Sequence, residues 1–115
     1  MKRIYTFGHE QVERNITIGD IVTNKKNNVK MTQVTAANHE EAEIIASQDI
    51  DMIITGSDWY EDVRKGAPNT FITAALFAGR FITHEEILRG AFDVMMAGAD
   101  SVLTPRSFDV VEMLA

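Results

Sequence analysis

Residues 51–56 read DMIITG, a nearly continuous apolar run that ends in a glycine. A run of this kind is typical of a parallel strand buried on both faces, because helices cover such a sheet. Segments 29–35, 69–76 and 101–104 are rich in β-forming residues and predict three further strands. Strands that alternate with helices indicate a parallel α/β sheet joined by right-handed crossovers.

The helices between these strands are predicted from their starts. Asn-His-Glu-Glu at 38–41 and Thr-His-Glu-Glu at 83–86 both have the outline of a capping box. Thr17 offers an N-cap for an earlier helix that ends in the basic turn at 25–28. Gly98 can close the helix that follows residue 83, and a last helix is expected over 107–114.

The chain length sets the architecture. A closed (β/α)8 barrel takes about 250 residues, whereas this chain has 115 residues and about four such strands. We expect half of a TIM-type barrel, or a small open sheet, over residues 17–115, preceded by an N-terminal extension over 1–16. The chain is a natural short protein, a split product or a fragment, and the sequence leaves these alternatives open.

Composition excludes several classes of function. The net charge of −6 disfavours nucleic acid, and the absence of cysteine excludes disulfides and thiolate chemistry. No apolar run approaches the length of a membrane span and no secretory leader is recognisable, so we expect a cytoplasmic protein that binds neither membrane nor nucleic acid. His39 and His84 lack the second histidine of a His-Glu-x-x-His zinc motif and are interpreted as exposed first-turn residues.

The second half of the chain resembles one family. Residues 66–69 (GAPN), 81–86 (FITHEE) and 94–102 (VMMAGADSV) occur in the order and spacing of ketopantoate hydroxymethyltransferase (3-methyl-2-oxobutanoate hydroxymethyltransferase). Upstream, 34–36 (VTA) and 53–58 (IITGSD) are similar to the ends of its first two barrel strands. The resemblance covers about the last hundred residues and only the first half of the family's barrel, which is of the phosphoenolpyruvate mutase and isocitrate lyase type.

The resemblance implies a reaction and a set of site positions. The family transfers a hydroxymethyl group from methylenetetrahydrofolate to an α-keto acid, on the route to pantothenate, with magnesium held by carboxylates at the strand ends. Its first metal aspartate is displaced here by one residue, to Asp58 after Ser57. Its second metal aspartate corresponds to Ala75, and its lysine and glutamate correspond to Leu103 and Pro105. We therefore expect neither magnesium nor folate as a cofactor.

The remaining site candidates lie where parallel sheets bind ligands, after the strand carboxyl ends. Ser57 and Asp58 are candidates for a ligand or metal contact, or else cap the helix that follows. Arg80 and Arg106 are candidates for holding a small anion, or are solvated loop arginines.

Three functions remain open at this point. The chain is a family member without the metal site that binds a small anion or keto acid, a lyase or transferase that uses Asp58, or a non-catalytic assembly subunit. Four parallel strands cannot close a barrel, so we also expect a homo-oligomer, with a dimer as the simplest form.

Overall fold

The computed structural model describes residues 1–76 and 83–104. Its elements follow in this order: β1 Lys2–Tyr5, β2 Gln11–Arg14, α1 Ile18–Lys26, β3 Gln33–Thr35, α2 His39–Ala46, β4 Met52–Gly56, α3 Tyr60–Gly66, β5 Phe71–Ala75, α4 His84–Met96 and β6 Ser101–Leu103. A single 3₁₀ turn, Ser57–Trp59, joins β4 to α3. The helix expected over 107–114 lies outside the described residues.

The predicted α/β class is confirmed. Strands β3, β4, β5 and β6 form a four-stranded sheet in that order, and every neighbouring pair is parallel. Sequential order with helical crossovers is the arrangement of a barrel half or of an open sheet. The expected strand over 29–35 is shorter than predicted, because only Gln33–Thr35 pairs with β4.

Local hydrogen bonds fix where the predicted helices begin, and a glycine fixes where α4 ends. Thr17 and Asp20 form a reciprocal capping box, and so do Thr83 and Glu86. The box at Asn38 is a variant, in which the Glu41 carboxylate accepts from the N–H of Ala37 rather than from that of the cap residue. Gly98 closes α4 with a φ of +108°, a conformation that side chains with a Cβ rarely adopt.

One layer of helices covers one face of the sheet. We call this the helix face; its side chains Ile53, Ile72 and Ala74 are fully buried and pack with residues of α2, α3 and α4. Gly66 allows α2 and α3 to touch, since a Cβ there would lie 2.3 Å from the carbonyl oxygen of His39. The opposite, inner face alternates with the helix face along each strand.

The first fifteen residues form structure that the sequence did not predict in full. The sequence defined this region only as an N-terminal extension, whereas in the structure β1 pairs with a second strand, β2, in an antiparallel hairpin. The hairpin packs on α4 through an edge-to-face contact of Phe7 with Phe92, whose ring centroids are 5.7 Å apart. With α1, it also covers Phe71, an inner-face residue that is only 4% exposed.

Candidate functional site

The carboxyl edge of the sheet, where the strands of parallel sheets end, is the expected ligand site. Gly56, Ala75 and Leu103 are partners in register at this edge, one each on β4, β5 and β6. The N–H of Leu76 donates to the carbonyl of Leu103 over 2.9 Å, so β5 and β6 stay paired to their ends. The positions that the family resemblance equates with a metal aspartate and a lysine, Ala75 and Leu103, are therefore direct neighbours.

The side chains in this row carry no donor atoms for a hard cation. Magnesium is bound through oxygen ligands, usually one or two carboxylates together with substrate and water. Ala75 supplies a methyl group and Leu103 an isobutyl group, and Asp58 is the first carboxylate after Gly56 in the sequence. Among residues 1–76 and 83–104 there is no group of three or more histidine, aspartate or glutamate side chains able to hold a metal. The residues of this edge do not fit the family's magnesium ion.

Ser57 and Asp58 lie in the 3₁₀ turn that follows β4. Asp58 is exposed, and the N-cap positions of the 3₁₀ turn and of α3 are occupied by Gly56 and Trp59, neither of which makes a side-chain cap hydrogen bond. The Ser57 hydroxyl is buried and, like that of Thr55 on β4, has no hydrogen-bond partner in the part of the chain that the structure describes. Ser57 therefore does not cap a helix through its side chain, whereas the interpretation of Asp58 as a cap stays a prediction.

The remaining candidates divide into two groups. Arg80, Arg106 and Pro105 lie outside the described residues. His39 and His84 are the first residues of α2 and α4, and both are at least partly exposed, as predicted. His39 contacts Glu43 one turn along its own helix, at 3.1 Å between Nε2 and Oε2.

The densest polar cluster lies at the opposite, amino edge of the sheet. Both carboxylate oxygens of Asp100, just before β6, lie 2.9 Å from Nε of Arg14 and share its one N–H; Asp100 also accepts from Nη2 of Arg64 over 2.9 Å and from the N–H of Ile72 over 3.0 Å. Arg14 and Asp100 are almost completely buried as side chains, at 3% and 5% exposure. We call Arg14, Arg64 and Asp100 the arginine–aspartate cluster.

Backbone carbonyls satisfy the rest of this cluster. The guanidinium of Arg14 donates to Glu13, Pro68 and Gly98, and that of Arg64 donates to Ala67, Thr70 and Gly98. Nε of Arg64 also donates to the hydroxyl of Tyr60 over 2.9 Å. Burial raises the pKa of the Tyr60 hydroxyl above its usual range, and the nearby Arg64 charge lowers it by less.

Asn15 extends the amino edge across β4 and β5. Its side-chain amide donates to the carbonyl of Asp51 over 2.7 Å, and its side-chain oxygen accepts from the N–H of Phe71 over 2.9 Å. Asp51 in turn accepts from the N–H and hydroxyl of Thr32, just before β3. All four strands therefore begin at residues tied together by polar side chains.

The sequence analysis did not predict the polar contacts at the amino edge. Neither Arg14 nor Arg64 belongs to a recognisable sequence motif. Asp100 follows the Gly98 turn and precedes a strand, which is the one local signal for an aspartate at the amino end of β6. The amino end of a barrel usually serves stability rather than catalysis, and the dense hydrogen bonding of each charge here agrees with that role.

Two further features complete the survey. An open, mostly apolar cavity of about 390 Å³ lies between the hairpin, α1 and the amino end of β5, away from the carboxyl edge. None of the helices within residues 1–76 and 83–104 has the length and apolar character needed to cross a membrane. Comparison with models of known protein families and with curated protein sequences finds no match to this chain.

Proposed function

We propose that this chain is a ketopantoate hydroxymethyltransferase-like protein that lacks the family's metal-assisted transfer reaction and binds a small anion such as an α-keto acid. The in-register row of Gly56, Ala75 and Leu103 carries this proposal. The positions that the resemblance equates with a metal aspartate and a lysine, Ala75 and Leu103, lie at one edge, as a shared site requires. Their side chains supply neither a carboxylate nor an amine.

The pairing of β5 and β6 supports the anion-binding part of the proposal. Arg80 comes four residues after Leu76, and Arg106 comes two residues after Thr104. Because Leu76 and Leu103 are hydrogen-bonded neighbours, the two segments that carry these arginines leave the sheet at adjacent points. Two guanidinium groups suit a planar carboxylate, since each can donate two parallel hydrogen bonds.

Calorimetric titration with 3-methyl-2-oxobutanoate, with and without magnesium, tests this proposal. We expect the keto acid to bind without help from magnesium, and binding to weaken at least tenfold in the double variant Arg80→Gln, Arg106→Gln. Arg3→Gln, which changes an exposed arginine of the hairpin, is the matched control and should bind as the parent does. Low-micromolar binding that requires magnesium and is abolished by Asp58→Ala would instead establish a relocated enzyme site.

A variant designed to restore magnesium binding provides a second test. Ala75→Asp places a carboxylate on the strand next to Gly56 and should increase magnesium affinity in the presence of the keto acid, because two carboxylates and the ligand then converge. Ala75→Asn has the same shape without the charge and should not. Equal magnesium binding by both variants would show that Ala75 does not occupy the family's metal position.

A further inference from the structure

The two outer strands of the sheet have open edges in the described part of the chain. Within residues 1–76 and 83–104, β3 pairs only with β4 and β6 only with β5. Both strands are short and expose apolar side chains, with Val34 37% and Leu103 52% exposed. Unpaired backbone groups beside apolar side chains are a template for pairing with another strand.

The inner face of the sheet is also only partly covered. Phe71 is closed off by α1 and the hairpin, but Ile54, Thr73 and Ala75 above it keep partial exposure. In a closed barrel these positions would fill the interior in layers against side chains from the opposite strands. The described sheet supplies four of the eight strands that such an interior needs.

We propose that a second copy of this chain closes the sheet into an eight-stranded barrel with a two-fold axis along its centre. In this arrangement β6 of each copy pairs in parallel with β3 of the other, so one symmetry operation covers both open edges. All eight strands stay parallel, because rotation about the barrel axis preserves their direction. The two junctions are identical, as a symmetric dimer requires.

Charge favours a second copy as the occupant. Lys25, Lys26 and Lys30 are exposed at the end of α1 and just before β3, at the amino edge. The last turn of α4, just before β6 at the same edge, contains exposed Asp93 and no basic residue. A helix carboxyl end carries partial negative charge. The proposed junction places the lysines of one copy beside this acidic end of the other, twice in each dimer.

The observed register predicts which residues meet. Gln33 pairs with Met52 on β4, whereas Leu103 pairs through Ala75 with Gly56, four residues further along the same strand. A barrel of this class is sheared by about eight residues around its eight strands, so each half contributes about four. With that offset, Leu103 of one copy lies beside Gln33 of the other. Both residues point to the inner face, as neighbouring residues of two paired strands must.

Cysteine cross-linking tests the proposed junction on the whole chain, which has no cysteine of its own. The double variant Gln33→Cys, Leu103→Cys, oxidised with oxidised glutathione, should give a covalent dimer of twice the 12.9 kDa chain mass. Each single variant is a matched control, since the two-fold axis places identical residues on opposite sides of the barrel. Cross-linking by the single variants to the same extent would overturn the two-fold barrel.

Sedimentation velocity of the unmodified chain provides an independent measurement. We expect a dimer that dissociates on dilution more readily at high salt, and a dissociation constant raised about tenfold by Lys25→Glu with Lys26→Glu. Lys65→Glu, an exposed change on α3, should leave dimerisation unaffected. A chain that remains a monomer at high concentration would overturn the proposal, because its edges would then be covered from within.

Discussion

At the amino edge of the sheet, the Asp100 carboxylate accepts from three N–H groups, whereas near the carboxyl edge the hydroxyls of Thr55 and Ser57 have no partner among the described residues. Barrel enzymes concentrate their reactive side chains at the carboxyl edge and leave the amino edge to stability. This chain keeps the stabilising edge complete and carries alanine, leucine and glycine in the row where the resemblance implies chemistry. The difference indicates that the described polar contacts stabilise the amino edge of the sheet rather than its carboxyl edge.

Among the variants that test this comparison, removal of the Asp100 charge should have the largest effect on the free energy of unfolding. Asp100→Asn leaves the two guanidinium groups of Arg14 and Arg64 buried without their shared counter-charge, which costs about 3 to 5 kcal/mol in the free energy of unfolding. Urea denaturation followed by circular dichroism measures it. Asp49→Asn, an exposed change in the loop before β4, is the control and should stay within about 0.5 kcal/mol. A loss below 1 kcal/mol for Asp100→Asn would mean that the cluster does not hold the fold.

Loss of Arg14 should have a smaller and more local effect. Arg14→Met keeps much of the aliphatic stem, and Asp100 retains Arg64, so we expect a loss of about 2 to 3 kcal/mol, typical of charged hydrogen bonds. Hydrogen exchange should show lost protection mainly in β1 and β2, because Arg14 joins the hairpin to the sheet. Arg3→Met on the exposed side of the hairpin should leave protection unchanged. Uniform loss of protection over the whole chain would contradict a separate role in hairpin docking.

The buried Tyr60 hydroxyl should make stability fall at alkaline pH. Its folded pKa is raised by burial above the usual tyrosine value of 10.0, so the folded state holds the proton more tightly than the unfolded state does. The contribution is therefore fully present below pH 10 and is lost as the pH rises through the higher folded value. Unfolding between pH 8 and pH 11 should show this loss in the parent chain and a flatter profile in Tyr60→Phe. Identical slopes for the two proteins would exclude Tyr60 as the titrating group.

The smallest effect, and the only stabilising one, is expected near the carboxyl edge. Thr55→Val replaces an unpartnered buried hydroxyl with a methyl group of similar size, so we expect a gain of about 1 kcal/mol. Thr55→Ala also removes the hydroxyl but loses a buried methyl group, and it should be less stable than the valine variant by about 1 kcal/mol. Thermal unfolding distinguishes the two. Destabilisation by Thr55→Val would show that the hydroxyl has a partner, such as an ordered water molecule.

The carboxyl edge was predicted in outline and the amino edge was not. Strand signals near residues 53, 72 and 102, together with short links, placed Ala75 and Leu103 at one end of a parallel sheet, and their register confirms that they are neighbours. Ser57 does not act as a helix cap, because it lies inside the 3₁₀ turn and its hydroxyl has no partner among the described residues, whereas the cap interpretation of Asp58 stays a prediction. The proposals for Arg80 and Arg106 rest on sequence position and on the pairing of the strands that precede them.

The local elements can be predicted from the sequence, because apolar periodicity, capping residues and the Gly98 turn act over a few neighbouring residues. The sequence by itself also determined that Ala75 and Leu103 cannot ligate magnesium, since that follows from their side-chain chemistry alone. The contact of Arg14 and Arg64 with Asp100 is seen only in the tertiary structure, because these hydrogen bonds span 86 and 36 residues of sequence. Long-range contacts of this kind depend on the crossovers that bring distant strand ends to one edge, and no local pattern in the sequence records them.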